Sequence, residues 1–164
     1  MLSIHTILHP TDLSEESAAA FRLANALARD YTARLVLLTA YPPLLNWAEA
    51  VDRTRSDGVE EVLLAKLQAL NPDPSVPVEY LVEEGKPADM ILVVAEETHA
   101  DLIVMGTHGR GGLSRALMGS VAEAVNRAAA CPVVTVRGQL RIDTGQAHDD
   151  YTPGGDPCPS HGPF

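Results

Sequence analysis

The sequence predicts a doubly wound α/β domain, a five-stranded parallel sheet with helices on both faces. Three observations carry this. Strand-like and helix-like segments alternate in the order β-α-β-α-β-α-β-α-β along the chain. The strand candidates are nearly continuous apolar runs, as strands covered on both faces require. The core stock is aliphatic: 46% of the residues are hydrophobic and only 4% aromatic, which suits closely packed layers of Ala, Val, Leu and Ile. A chain of 164 residues is long enough for one domain with a sizeable core.

Ile4 to His9 is short and β-branched and meets Pro10, so it reads as the first strand. Ser14 to Tyr31 follows with Phe21, Ala24, Ala28 and Tyr31 on one helical face and Leu23 and Leu27 beside it. Arg34 to Ala40 is an apolar run stopped by Pro42-Pro43, and reads as a doubly covered strand. Tyr41 to about Arg53 reads as a loop. Val59, Val62, Leu63, Leu67 and Leu70 mark a second helix, closed by Asn71-Pro72-Asp73-Pro74. Val76 to Val82 is a third strand. Gly85-Lys86-Pro87 is a turn with Pro87 suited to the first helical position, and Ile91, Val94 and Ala95 carry the third helix. Leu102 to Met105 is the fourth strand, Val121, Val125 and Ala128 carry the fourth helix, and Val133 to Val136 is the fifth strand. Right-handed crossovers are expected throughout.

Charge and cysteine usage exclude several classes. The formal net charge is −10 and no Lys/Arg stripe offsets it, so nucleic acid is not an expected partner. Cys131 and Cys158 form no CxxC pair, and Cys131 reads as a small buried apolar residue. Met1 leads into Ser3, His5 and Thr6 without a basic signal-peptide start, and no apolar run approaches a membrane span. A cytoplasmic location is expected. Residues 1–138 read as the folded domain. Residues 139–164 hold Pro153, Pro157, Pro159 and Pro163, with one arginine against four aspartates, and read as an acidic, disordered tail. His148, Cys158 and His161 in that tail match no zinc spacing. No internal repeat is visible.

The chemistry concentrates in GTHGRGGLSRALMGSV, Gly106 to Val121, between the fourth strand and the fourth helix. Glycines there let backbone N–H groups approach an anion, and the helix N-terminus adds partial positive charge. The segment is not a GxxxxGK[ST] loop. Nor is it a dinucleotide fingerprint, since Gly109 and Gly111 lack the third glycine and position 114 is Ser. Phosphate would be held by N–H groups, hydroxyls and, in addition, arginines or a metal ion. Pro10-Thr11-Asp12 ends the first strand and Met105-Gly106 ends the fourth. If those strands are neighbours, the two ends face one crevice, where such sheets bind ligands.

The spacing Gly106-x2-Gly109-x9-Gly119-Ser120 resembles the nucleotide signature of the universal stress protein family (the UspA-like domain). The likeness runs from about Ser3 to Arg137. It takes in Pro10-Thr11-Asp12-Leu13-Ser14, the Gly85-x-Pro87 turn, Asp101 to Gly106 and Cys131 to Val136. The resemblance implies a Rossmann-like sheet of order 3-2-1-4-5, a dimer, and ATP between the first and fourth strand ends. It implies that Asp12 contacts ribose or, through Mg²⁺, phosphate. Ala40 lies near adenine and Met105 flanks ribose and adenine. Gly106, Gly109, Gly119, Ser120 and Val121 wrap the phosphates. Pro10, Thr11, His108 and Arg110 complete the expected binding set.

Several of these residues also have purely structural roles open to them. Asp12 could serve a turn before the first helix. Ser120-Val-Ala-Glu123 also spells a capping box, and Gly112 could supply loop flexibility alone. Arg110 and Arg115 either bond phosphate or lie in solvent. His9 and His108 show no partner in the sequence that would orient a catalytic imidazole, and no catalytic residue is assigned. The resulting expectation is an ATP-binding regulator with at most slow hydrolysis. ADP or AMP would be read through the same site, and Mn²⁺ could replace Mg²⁺ at Asp12. Its rivals are a dimeric interaction module in which nucleotide is structural or absent, with an unknown protein partner, and an adenylate hydrolase, for which no second Ser-Gly-Gly loop is found. Val133-Val134-Thr135-Val136 would form an apolar sheet edge that pairs with its twin in a homodimer.

Overall fold

A computed structural model describes residues 3–43, 54–107 and 119–137, and of residues 54–57 the backbone alone. The strands are β1 (Thr6–Pro10), β2 (Arg34–Tyr41), β3 (Val78–Glu84), β4 (Leu102–Gly106) and β5 (Val133–Val136). The helices between them are α1 (Ala18–Tyr31), α2 (Thr54–Gln68), α3 (Pro87–Glu97) and α4 (Ser120–Ala128). The five strands form one parallel sheet of order β3-β2-β1-β4-β5. The fold class and strand order are therefore those expected.

Alternating side chains of the central strands feed two cores. Ile7, Leu35, Leu37 and Val104 pack against α1 and α2, while Leu8, Val36, Leu38 and Ile103 pack against α3 and α4. Each of these residues is buried, which is why their strands carry no polar alternation. The α1 contact is made by Ala20, Ala24 and Ala28, all fully buried at four-residue spacing. Small side chains let the helix lie close to the sheet. Tyr31, expected on that face, is 45% exposed, because the helix stops there at Thr32 with φ 55°. On α2, Val59 and Val62 are exposed and Leu67 is fully buried, so among the described side chains the end of the helix is the part most deeply set against the sheet.

Element bounds differ from the sequence expectation where prolines and hydroxyls intervene. β3 starts two residues late because Pro77 has no N–H. Its carbonyl instead accepts the Leu35 N–H at 2.9 Å. The strand then continues through Glu83 and Glu84, opposite Ala40 and Tyr41. α1 starts at Ala18 rather than Ser14, since Ser14 to Ser17 form a turn in which serine side chains bond the backbone.

The amino edge of the sheet is clasped by Asp101. Its Oδ2 accepts the His5 and Thr6 N–H groups at 2.7 and 3.0 Å, and those bonds hold its carboxyl below the usual range. Beside it the Arg34 guanidinium bridges Glu79 at 3.0 Å and the Thr98 carbonyl at 3.1 Å. The segment 44–53, within the expected loop, and the tail from residue 139 lie outside the described residues.

Candidate functional site

The crevice forms at the carboxyl edge, where the sheet order reverses. β1 leads outward to β2 on one side and has β4 on the other, so the loops leaving β1 and β4 diverge to opposite faces. Pro10, Thr11 and Asp12 leave β1 here, Ala40 is the last but one residue of β2, and Met105 and Gly106 end β4. Gly119, Ser120 and Val121 open α4. His108, Gly109 and Arg110 lie outside the described residues, as do Gly112 and Arg115.

Hydroxyls and one carboxylate fix the β1–α1 loop. The Thr11 N–H donates to the Leu38 carbonyl at 2.8 Å, and the Thr39 hydroxyl donates to the Thr11 carbonyl at 2.6 Å. The Ser17 hydroxyl donates to the Ser14 carbonyl at 2.8 Å, so it accepts from the Thr11 hydroxyl 2.9 Å away. Thr11 Oγ1 in turn accepts the Leu13 N–H at 3.0 Å. Asp12 Oδ1 accepts both the N–H and the hydroxyl of Ser14, at 3.1 and 2.6 Å. This is the turn role the sequence left open for Asp12. Leu13 is held at φ 62°, a left-handed conformation that costs a non-glycine residue about 1 kcal/mol. The surrounding bonds over-determine it.

The fourth strand exits through Thr107, whose N–H donates to the Val136 carbonyl at 3.0 Å. The Gly119 N–H returns to the Thr107 carbonyl at 2.8 Å. The two ends of the glycine segment are thereby joined, and the nine-residue α4 begins at the crevice with its first N–H groups facing outward. The capping box that Ser120 and Glu123 spell is not formed. Gly119 holds the N-cap position, Ser120 is the first helical residue, and the Glu123 carboxylate pairs with Arg127 at 2.6 Å. The main-chain tie to Thr107 sets where the helix begins. Met105 is 5% exposed and packs in the α3–α4 core, with Val121 partly buried beside the same core.

Next to the end of β1, His9 is fully buried, with its ring centroid 5.9 Å from that of Phe21. Nδ1 lies 2.8 Å from the Val104 carbonyl. A carbonyl only accepts, so Nδ1 carries the hydrogen. Burial lowers the imidazole pKa to about 4, against smaller upward effects of the Val104 bond and the Asp12 charge. At neutral pH the ring is uncharged.

The two flanks of the edge differ in charge. Around the end of β2, burial first, then the Glu84, Glu60 and Glu83 carboxylates, push the Tyr41 phenol up. The helix N-terminus on the other flank favours negative charge. Among the described residues no group of three or more His, Cys, Asp and Glu side chains could hold a metal ion unaided.

The strand order and the switch point between β1 and β4 define a doubly wound, Rossmann-like α/β domain. Residues 3–137 match the family model described as the universal stress protein family. A universal stress protein of Methanocaldococcus jannaschii is 34% identical over 139 residues, covering 80% of this chain and 81% of that protein. The chain belongs to the universal stress protein family. A solved structure described as a hypothetical protein with a structure-based assignment of biochemical function has a TM-score of 0.76 at 25% identity. The match covers 85% of this chain and 100% of that one. Another, a universal stress protein in complex with cAMP, has a TM-score of 0.59 at 26% identity and covers 83% and 98%.

The sequence reading missed Ser14, Ser17 and Thr39 as supports of the site. Asp-x-Ser after a strand is a turn signal that was available for Ser14. Thr39, a lone hydroxyl in the apolar run of β2, was a weaker one. His9 gave no local signal, since its partner is 95 residues away.

Proposed function

We propose that the chain binds ATP in the crevice between the ends of β1 and β4 and acts as a nucleotide-dependent regulator of a stress response. The observation that carries this is the Gly119–Thr107 bond, which joins the ends of the glycine segment and sets the α4 N-terminus at the switch point of the sheet. The charge asymmetry of the edge supports one orientation. Phosphates lie toward Gly106, Gly109, Gly119, Ser120 and Val121, with His108 and Arg110 on the same segment. The base lies toward Ala40, on the flank where the glutamates disfavour anions, and Met105, across β1 at the end of β4, flanks base and ribose. The relative in complex with cAMP supports an adenine nucleotide.

Pro10, Thr11 and Asp12 would line the ribose side. Asp12 is one carboxylate, and Mg²⁺ is commonly held by one or two carboxylates together with substrate phosphates. The donor set therefore fits Mg²⁺ or Mn²⁺ only alongside the nucleotide. The ion would neutralise phosphate charge. No positioned base is assigned, so hydrolysis, where it occurs, is slow. A cytoplasmic location belongs to the same proposal, and no described helix is long and apolar enough to cross a membrane.

The test is to denature the purified protein and identify released nucleotide by liquid chromatography, beside a Gly119→Val, Ser120→Ala variant. ATP from the parent and none from the variant is expected. A parent that releases none and fails to bind added ATP with Mg²⁺ overturns the proposal and leaves the interaction module in first place.

β5 ends the sheet, with Val133, Val134 and Thr135 half-buried. We propose a homodimer through this edge, where unpaired backbone groups and valines invite a second copy. Val134→Lys is expected to give monomers in light scattering, and an unchanged dimer mass would exclude this edge as the interface.

A further inference from the structure

The β1–β4 ladder stops short of the strand ends. Its register pairs Ile7 with Leu102 and Leu8 with Ile103, while β1 stays paired to β2 as far as Pro10 and Leu38. One more step on the β4 side would need a bond that this sequence withholds. Odd-numbered residues of β1 turn their backbone toward β2: the His5 carbonyl accepts from Arg34, and the Thr11 N–H donates to Leu38, both at 2.8 Å. Residue 10 therefore faces β4. On β4, the Ile103 and Thr107 N–H groups reach Pro132 and Val136 on the β5 side, both at 3.0 Å, so Val104 faces β1. A continued parallel ladder would join the residue-10 N–H to the Val104 carbonyl. Pro10 has no N–H to give.

The donor that takes that carbonyl is the His9 side chain, through Nδ1 at 2.8 Å. The choice has a cost on the other side of the ring. Nε2 is buried without a hydrogen-bond partner among the described residues. A hydrocarbon ring of the same size would avoid that cost but leave the Val104 carbonyl without this donor.

We propose that His9 is a positioning residue of the nucleotide site: its imidazole supplies the β1-to-β4 hydrogen bond that Pro10 cannot make, and so fixes the separation of the two strand ends. Pro10 opens the crevice, and His9 keeps it from opening further. The binding part of the test below rests on the nucleotide proposal; the exchange part does not.

The experiment compares the full chain with His9→Phe, His9→Asn and the double variant His9→Phe, Pro10→Ala. Amide hydrogen exchange is read at the ends of β1 and β4, and ATP affinity by calorimetry with Mg²⁺. His9→Phe is expected to speed exchange at both strand ends and weaken ATP binding, each by about tenfold. His9→Asn carries an N–H near the position of Nδ1 and is expected to stay within about threefold of the parent on both. The double variant regains an N–H at position 10 and is expected to recover exchange protection. Parent-like exchange in His9→Phe, or equal losses in His9→Phe and His9→Asn, would overturn the proposal. A parent that binds no ATP defeats the nucleotide reading, and exchange alone then decides the role of His9. Should His9→Phe not fold, the ¹⁵N spectrum of the parent imidazole decides. A protonated Nδ1 coupled to the Val104 carbonyl supports the strut, and a hydrogen on Nε2 overturns it.

Discussion

Asp12→Asn is expected to weaken ATP binding in the presence of Mg²⁺ by about tenfold or more, with little change in thermal stability. The two halves of that expectation have separate causes. Asp12 Oδ1 accepts the N–H and hydroxyl of Ser14, and an asparagine keeps an acceptor oxygen that supports the same turn. What asparagine lacks is the charge, which a ribose hydroxyl or a divalent ion on the phosphates would use. Asp12→Ala removes both and is expected to cost about 1 kcal/mol of stability as well. Calorimetric titration with ATP, with and without Mg²⁺, beside thermal melts of both variants, separates the roles. Undiminished binding by Asp12→Asn would reduce Asp12 to a turn residue and move the ribose and metal contacts elsewhere.

Acid is expected to destabilise the fold through His9 by about 3 kcal/mol between neutral pH and pH 4. The native imidazole has its pKa lowered by burial from 6.5 to about 4. Above pH 6.5 both folded and unfolded chains keep it neutral, and it makes no pH-dependent contribution. As pH falls below that value the unfolded chain takes up the proton and the folded chain does not, so stability falls until the folded group also titrates near pH 4. Asp101, whose pKa is lowered by the His5 and Thr6 N–H bonds, acts in the same direction at lower pH. The informative quantity is the slope of urea stability against pH from 7 to 4.5. His9→Asn removes the titrating group and should flatten that slope, whatever it does to absolute stability. An unchanged slope would show that His9 reaches solvent or a compensating partner when protonated.

The alternation of apolar runs and helical periods was enough to identify every described strand and helix, because both periods are local properties of the chain. Bounds were less legible. The late start of β3 follows from Pro77, which was visible, but only the bond from Leu35 to its carbonyl shows where pairing begins. The Ser120–Glu123 capping box was spelled by the sequence and not built, because Glu123 finds Arg127 and the helix start is set from Thr107. Exposure of Val59 and Val62 could not be read from periodicity, which marks an apolar stripe but not how much of it meets the sheet.

The sequence by itself determined the doubly wound class, the aliphatic core and the motif that resembles the family. Each of those rests on residue types and short spacings. Only the tertiary structure decided how the crevice is held: Thr39 to Thr11 across 28 residues, and His9 to Val104 across 95. Hydrogen bonds between strands join residues that are distant in the chain. Their existence depends on register and backbone direction, which no local pattern encodes.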